Sequence, residues 1–186
     1  MMQSKLFANN SSYVDKTFAE MYGEFKKENN YKKIVTGYGN KNSKLMIIGE
    51  SCVMSHYNNP KSYKCFCFDI NSDRVVDNKS GSILIRVFNE QGIEINNFYW
   101  TNVFKIPFEL LENDEEKSKH YTLLQYEINL ISPDIIICLG TNAYNIVKDN
   151  IKLYDAKLKR IYHPAYYSRN PHRFSEYIEK WRNILK

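Results

Sequence analysis

The residues best suited to chemistry lie near the C-terminal end of the chain. Arg160-Ile161-Tyr162 runs into His163-Pro164-Ala165-Tyr166-Tyr167-Ser168-Arg169-Asn170-Pro171. The first part is strand-like, and a proline directly after His163 stops it there. An imidazole, a guanidinium and two tyrosine rings are thereby set at one end of a sheet. Open α/β sheets bind ligands at the carboxyl ends of their strands. Aromatic faces beside cations suit a nucleotide or nucleic acid better than an apolar metabolite.

Two earlier strand ends carry polar groups that would face the same place. One offers Gly49-Glu50-Ser51, the other Thr101-Asn102 followed by Lys105. An asparagine amide holds a donor and an acceptor side by side, which matches the edge of a base. A histidine can hydrogen-bond to a departing anion. A glycine lets a ligand approach the backbone. Each residue also has a plainer role open to it: Asn102 bonding to nearby backbone, His163 holding the last loop, Glu50 solvated.

Positioning these groups needs alternating strands and helices, and the hydrophobic pattern supplies them. Phe18, Met21, Tyr22 and Phe25 recur at helical intervals within residues 14–27, and Asn29-Asn30 ends that helix. Residues 32–43 form a turn-rich connector. Continuous apolar runs at 45–49 and 135–140, each ending in glycine, are the mark of buried parallel strands. Residues 98–104 and 158–162 give two more strands. Helices follow from Ser80, which can cap Ile83, Leu84, Val87 and Phe88, from residues 121–131, from Thr141 and from Phe174 to Leu185. The acidic stretch 112–116 is a solvated loop or a helix start. Residues 50–79 read as one long loop. Four strand–helix alternations predict a three-layer α/β/α domain over residues 1–186 with a central four-stranded parallel sheet. No phosphate-binding glycine motif of the dinucleotide or P-loop type occurs.

Composition narrows the class. Of 186 residues, 43% are hydrophobic and 25% charged, as in a soluble globular protein. No run of about 18 apolar residues is present, so no membrane span is expected. The polar N-terminus lacks the apolar core of a signal peptide, which points to the cytoplasm. The net charge of +5 is compatible with a polyanionic partner and does not require one. Cys52, Cys65, Cys67 and Cys138 lack paired metal spacing, so reduced thiols and no bound metal are expected.

The order of these segments resembles the uracil-DNA glycosylase superfamily, and among its branches the iron–sulfur uracil-DNA glycosylases. The segments are Val35-Thr36-Gly37-Tyr38-Gly39, Leu45 to Glu50, Ser80 to Leu84, Tyr99 to Lys105, Gln125 to Gly140 and His163 to Pro171, across roughly residues 35–171. The resemblance implies base flipping from DNA and hydrolysis of the N-glycosidic bond. It gives His163 the leaving anion, Asn102 the pyrimidine edge, and Gly49, Glu50 and Ser51 the base, with Glu50 beside its C5 position. Tyr166, Tyr167, Arg169 and Asn170 match the loop that enters DNA, with Arg169 and Lys105 on phosphates.

Departures from the branch are equally specific. Ser51-Cys52-Val53-Met54-Ser55-His56-Tyr57 holds no acid, and the water-activating position falls on His56. The base-stacking aromatic falls on Val76, for which Phe68, Phe66 or Tyr57 would substitute. The cluster cysteines are missing, and Ile106 follows Lys105, so no cofactor is expected. The sequence thus predicts a monomeric DNA glycosylase acting on uracil or another modified base. The alternative is a protein of the same fold that binds nucleic acid or a nucleotide without cleaving it.

Overall fold

The computed structural model describes residues 17–58 and 79–185, with the side chains of His56 and Lys79 excepted. Five strands form one sheet in the order β1-β3-β2-β4-β5. They are β1 (Tyr38–Gly39), β2 (Leu45–Gly49), β3 (Tyr99–Asn102), β4 (Ile135–Leu139) and β5 (Lys157–Ile161). The last four run parallel, as the apolar runs predict. The two-residue β1 pairs antiparallel with the edge of β3. It is an addition to the expected four strands, too short to leave an alternating pattern in the connector.

Alternation along each strand sends neighbours to opposite faces. Ile47, Trp100, Ile137, Leu139 and Ile161 pack on one face against Leu84, Val87, Phe88, Tyr167, Tyr177 and Trp181. Met46, Ile48, Tyr99, Ile136 and Cys138 pack on the other against Leu124, Ile128, Ile131, Ala143 and Val147. The first face is covered by α3 (Lys79–Asn89), α6 (Pro164–Arg169) and α7 (Phe174–Leu185). The second is covered by α4 (Asp114–Ile131) and α5 (Thr141–Asn150). The chain is therefore α/β in three layers. No described helix is long and apolar enough to cross a membrane.

Helix ends follow local chemistry. In α1 (Phe18–Glu28), Thr17 and Glu20 form a capping box, and Asn29 closes the helix before Asn30 turns left-handed at φ 54°. The acidic residues 114–116 are the first turn of α4, where they complement its N-terminal partial charge. Ser80 lies inside α3 rather than capping it. Gly140, not Thr141, is the N-cap of α5. A short helix, α2 (Met54–Asn58), interrupts the expected long loop. Gly39 stands at φ 105°, and a Cβ there would meet the Phe98 carbonyl oxygen at 2.0 Å, so only glycine fits.

A third apolar cluster joins α1 to α4 through Met21, Tyr22, Phe25, Ile34, Ile106 and Leu123. His120 of α4 is fully buried beside it. Its Nδ1 accepts the Lys105 backbone N–H at 3.1 Å, and its Nε2 faces the Tyr31 hydroxyl at 3.2 Å. Burial, with the charge of Lys105 second, pushes the His120 imidazole down to about 3. The unfolded chain takes up this proton near pH 6.5, the folded one only near 3. The contribution is thus complete above pH 6.5 and is lost progressively as pH falls toward 3, by up to about 1.4 kcal/mol per pH unit. Urea denaturation between pH 7 and pH 4.5 should show falling stability, and His120→Gln should flatten that slope.

Candidate active site

The strand order reverses between β2 and β4. From β2 the chain moves outward to β3, then returns across β2 to β4 and β5. Two crossovers leaving in opposite directions open a crevice at the carboxyl ends of those strands. Glu50 follows β2 and Asn142 lies in the first turn of α5, after β4. Across the crevice the Asn142 Nδ2 donates to both Glu50 oxygens, at 3.3 and 3.2 Å. Glu50 is therefore held in place rather than freely solvated. Gly49 is buried at the end of β2, and Ser51 is half-buried. The carbonyls of Gly49 and Glu50 accept the N–H groups of Val103 and Phe104 at 2.8 and 2.9 Å. Those two bonds continue the β2–β3 pairing past Asn102.

Asn102 ends β3 opposite Gly49. It is 3% exposed, and its Oδ1 is buried without a hydrogen-bond partner. Strand alternation puts its side chain on the same face as Trp100, the face that also carries α6. An unpaired buried carbonyl costs about 1–3 kcal/mol, and such an atom at a strand end calls for a donor from elsewhere. This excludes the plainer reading in which the Asn102 Oδ1 bonds to neighbouring backbone.

His163 caps α6. Its Nδ1 accepts the Ala165 N–H at 3.2 Å, which leaves the proton of the neutral ring on Nε2. Burial, reinforced by the Arg169 charge, holds the imidazole below the ordinary histidine range. The neutral form therefore persists to lower pH than in a free histidine. Gly140, at the end of β4, lies directly against it: a Cβ there would stand 3.4 Å from the His163 Cβ. His163 thus leans over the β4 end, two strand steps from Asn102. At about 4.8 Å per step, the two strand ends are roughly 10 Å apart, a span that admits a planar base between two side chains.

The segment after His163 is a helical turn, not an open loop. This changes the assignment of Tyr167. The Tyr167 ring is 2% exposed and stacks on Tyr177 at 4.0 Å between centroids, so it is a core residue and does not reach DNA. Tyr166 is half-buried, stacked on Tyr162 at 5.1 Å and hydrogen-bonded to Arg173. Arg169 is exposed beyond it. The Asn170 Nδ2 donates to the Tyr166 carbonyl at 2.8 Å and closes the helix. Lys105 is also corrected. It is 0% exposed and ion-paired with Glu127 at 2.6 Å, so it cannot meet a phosphate. The backbone of His56 lies in α2, but its side chain is outside the described residues, as is the whole of Phe68.

Among the described residues, those present do not fit an iron–sulfur cluster. Ile106, at a position where the resemblance implies a cysteine, is 2% exposed and packed in the α1–α4 cluster. Cys52 follows β2, and Cys138 lies within β4 with its thiol pushed up to about 12 by burial. Cys65 and Cys67 fall outside the described residues. Among the described residues no three histidine, cysteine or acidic side chains gather as a metal site.

Two partners escaped the sequence reading. Asn142 sits two residues past a strand-end glycine, a position that the strand-end rule covers. Glu127 interrupts the buried stripe Leu123, Leu124, Ile128, Ile131 of α4, and an acid on an apolar face signals a buried partner.

A three-layer α/β protein with a polar crevice at its topological switch point is the class that this geometry defines. The chain belongs to the Uracil DNA glycosylase superfamily, whose family model matches residues 36–186. It is also 26% identical over 179 residues to the Type-4 uracil-DNA glycosylase of Thermotoga maritima, covering 84% of this chain and 85% of that protein. These relationships support a DNA glycosylase-like function.

Gly140 tests the geometry directly. Its backbone, at φ 96° and ψ 170°, lies in a region open to little but glycine. Gly140→Ala should cost about 1–3 kcal/mol in urea denaturation. It should also move the His163 ring resonances in a histidine NMR spectrum while leaving those of His120 in place.

Proposed function

We propose that the protein is a DNA glycosylase that hydrolyses the N-glycosidic bond of uracil or another modified base. The observation that carries this reading is the unpaired, buried Oδ1 of Asn102 at the lip of the crevice. An imide N–H, as in uracil or xanthine, or the lactam N–H of hypoxanthine supplies the missing donor. The Asn102 Nδ2 can donate to the adjacent base carbonyl, so one amide reads a donor–acceptor pair.

The target nucleotide leaves its stack and enters the crevice. As the bond between the sugar C1′ and the base nitrogen breaks, its electron pair passes to the base and positive charge builds on the sugar. His163 faces that developing anion with its Nε2–H. Because the ring is already neutral, it stabilises charge by hydrogen bonding and need not transfer a proton. Water then adds to C1′ and loses a proton. We assign that proton to His56, the one titratable group in residues 51–56 apart from Cys52. Glu50, held by Asn142, borders the base. Arg169 and Tyr166 stand at the outer edge of α6, where Arg169 would meet a phosphate and Tyr166 would fill the stack.

The second reading, binding without cleavage, is favoured by one observation: the segment following Glu50 carries no acid as far as Asn58. Oligonucleotides bearing uracil, hypoxanthine, xanthine or hydroxymethyluracil, treated with protein and then alkali, separate the two. Strand scission supports the enzyme; tight binding with no scission from any of them selects the second reading. In the active case, His163→Ala and Asn102→Ala should each slow base release on the order of 10²–10³-fold. A rate that rises across roughly pH 5–8 and loses that rise in His56→Ala assigns water activation to His56. A rate that stays level removes His56 from the mechanism. Arg169→Ala should weaken DNA binding alike for all sequences and reduce its salt dependence.

A further inference from the structure

We propose that Lys105, Glu127 and Thr101 are positioning residues that set the orientation of Asn102 for the reaction. The kinetic part of this inference rests on the glycosylase reading. The geometric part stands on the buried network alone.

The three N–H groups of the Lys105 ammonium have three acceptors: the Thr101 hydroxyl at 2.6 Å, the Glu127 Oε2 at 2.6 Å and the backbone carbonyl of Asn102. The Thr101 hydroxyl in turn donates to the Glu127 carboxylate, at 3.0 and 3.1 Å to its two oxygens. The Tyr22 hydroxyl donates to Glu127 from α1 and accepts the Gly37 N–H at 2.8 Å. All of these side chains are buried. Lys105, Thr101 and Glu127 are each 0% exposed, so they are placed to act through Asn102 and not on the base.

The network nonetheless ends on the residue that the crevice needs. Lys105 comes from three residues beyond Asn102 and bonds back to its carbonyl, closing a tight loop at the strand end. Fixing that carbonyl fixes the Asn102 peptide plane, and so the direction of its side chain. A methionine of similar length would fill the same volume and leave the carbonyl without its donor. Lys105→Met also strands the buried Glu127 carboxylate and should destabilise the fold. Thr101→Val, which keeps both charges in place, therefore carries the kinetic test, and thermal unfolding tells a displaced Asn102 from a lost fold. Displacement of a reacting group by about 1 Å can cost on the order of 10²-fold in rate.

Four variants test the assignment: Lys105→Met, the isosteric Thr101→Val, Thr101→Ser, which keeps the hydroxyl, and Asn102→Ala. Single-turnover release of uracil from an oligonucleotide is measured beside DNA affinity and thermal unfolding. The Asn102 side-chain amide pair is followed in ¹⁵N-labelled protein and assigned by its disappearance in Asn102→Ala. Lys105→Met is expected to lower kcat about 10- to 10²-fold with KM and DNA affinity unchanged. Thr101→Val should shift kcat in the same direction, and Thr101→Ser should restore it. In the Asn102→Ala background neither Lys105→Met nor Thr101→Val should cost anything further, because they act through the missing amide. The Asn102 amide signals should shift or broaden in both. Wild-type kcat in folded Thr101→Val, losses that multiply with Asn102→Ala, or unmoved Asn102 signals would overturn the proposal. If the wild type releases no base, the glycosylase reading falls, and the Asn102 signals still decide the geometric claim.

Discussion

The ion pair between Lys105 and Glu127 is the constraint around which the structure is arranged. Removing two charges from water costs several kcal/mol per ion, and attraction between them offsets this only when their hydrogen bonds are also met. The sequence meets them from three directions. Strand β3 brings the Thr101 hydroxyl and the Asn102 carbonyl, α4 brings the carboxylate, and α1 brings the Tyr22 hydroxyl. Burial drives the Glu127 carboxyl well above its ordinary value, so the pair tolerates no loose packing. An error in the docking of α1 or α4 would strand a charge, which makes the network a test of correct assembly as well as a product of it. The Tyr99 hydroxyl, 3.1 Å from that of Tyr22, extends the same network to the sheet face.

The crevice follows from a different constraint, the connectivity of parallel strands. Parallel neighbours need crossovers, and crossovers that leave in opposite directions diverge beyond the carboxyl ends of the paired strands β2 and β4. The groups facing the crevice come from the residues that follow each strand. The close approach of His163 to the β4 end then depends on a residue with no side chain. Gly140 supplies both the backbone turn into α5 and the space for the imidazole. The tautomer of His163 is fixed by the first turn of α6, since the Ala165 N–H claims Nδ1. Backbone geometry therefore decides which ring nitrogen carries the proton.

Much of this was legible in the sequence. Parallel strands buried on both faces leave continuous apolar runs, so β2 and β4 and their strand ends were plain at 45–49 and 135–140. The helical period of Phe174–Leu185 gave α7 to the residue. Asn102 and His163 stood out because a polar residue closing such a run has no packing reason to be there. What failed has physical causes too. A cation just past a strand looks solvent-facing, and only the acid on the buried stripe of α4 reveals that Lys105 turns inward. Tyr166 and Tyr167 are equivalent in a string of letters. The helical turn of α6 separates them by about 100°, sending one ring into the core against Tyr177 and leaving the other half-buried at its edge. The short pairing of β1 depends on Gly39 meeting Phe98, a contact that no local period encodes.

The segment after Asn102 shows how the fold anchors its site where the resemblance implies a cluster cysteine and this chain has Ile106. Each residue there is anchored separately. Val103 and Phe104 pair with the β2 end, the Lys105 side chain turns inward to Glu127, and its N–H is taken by His120. Ile106 then inserts among Met21, Tyr22, Phe25 and Leu123. A cluster ligand would tie this segment at one atom through a covalent bond. Here the same segment is tied at four consecutive residues by hydrogen bonds, one ion pair and apolar contact. Fixing it by packing couples the site to α1 and α4, so changes far from the crevice on those helices reach Asn102 through Lys105. The strand end that carries Asn102 is thus supported by the core itself.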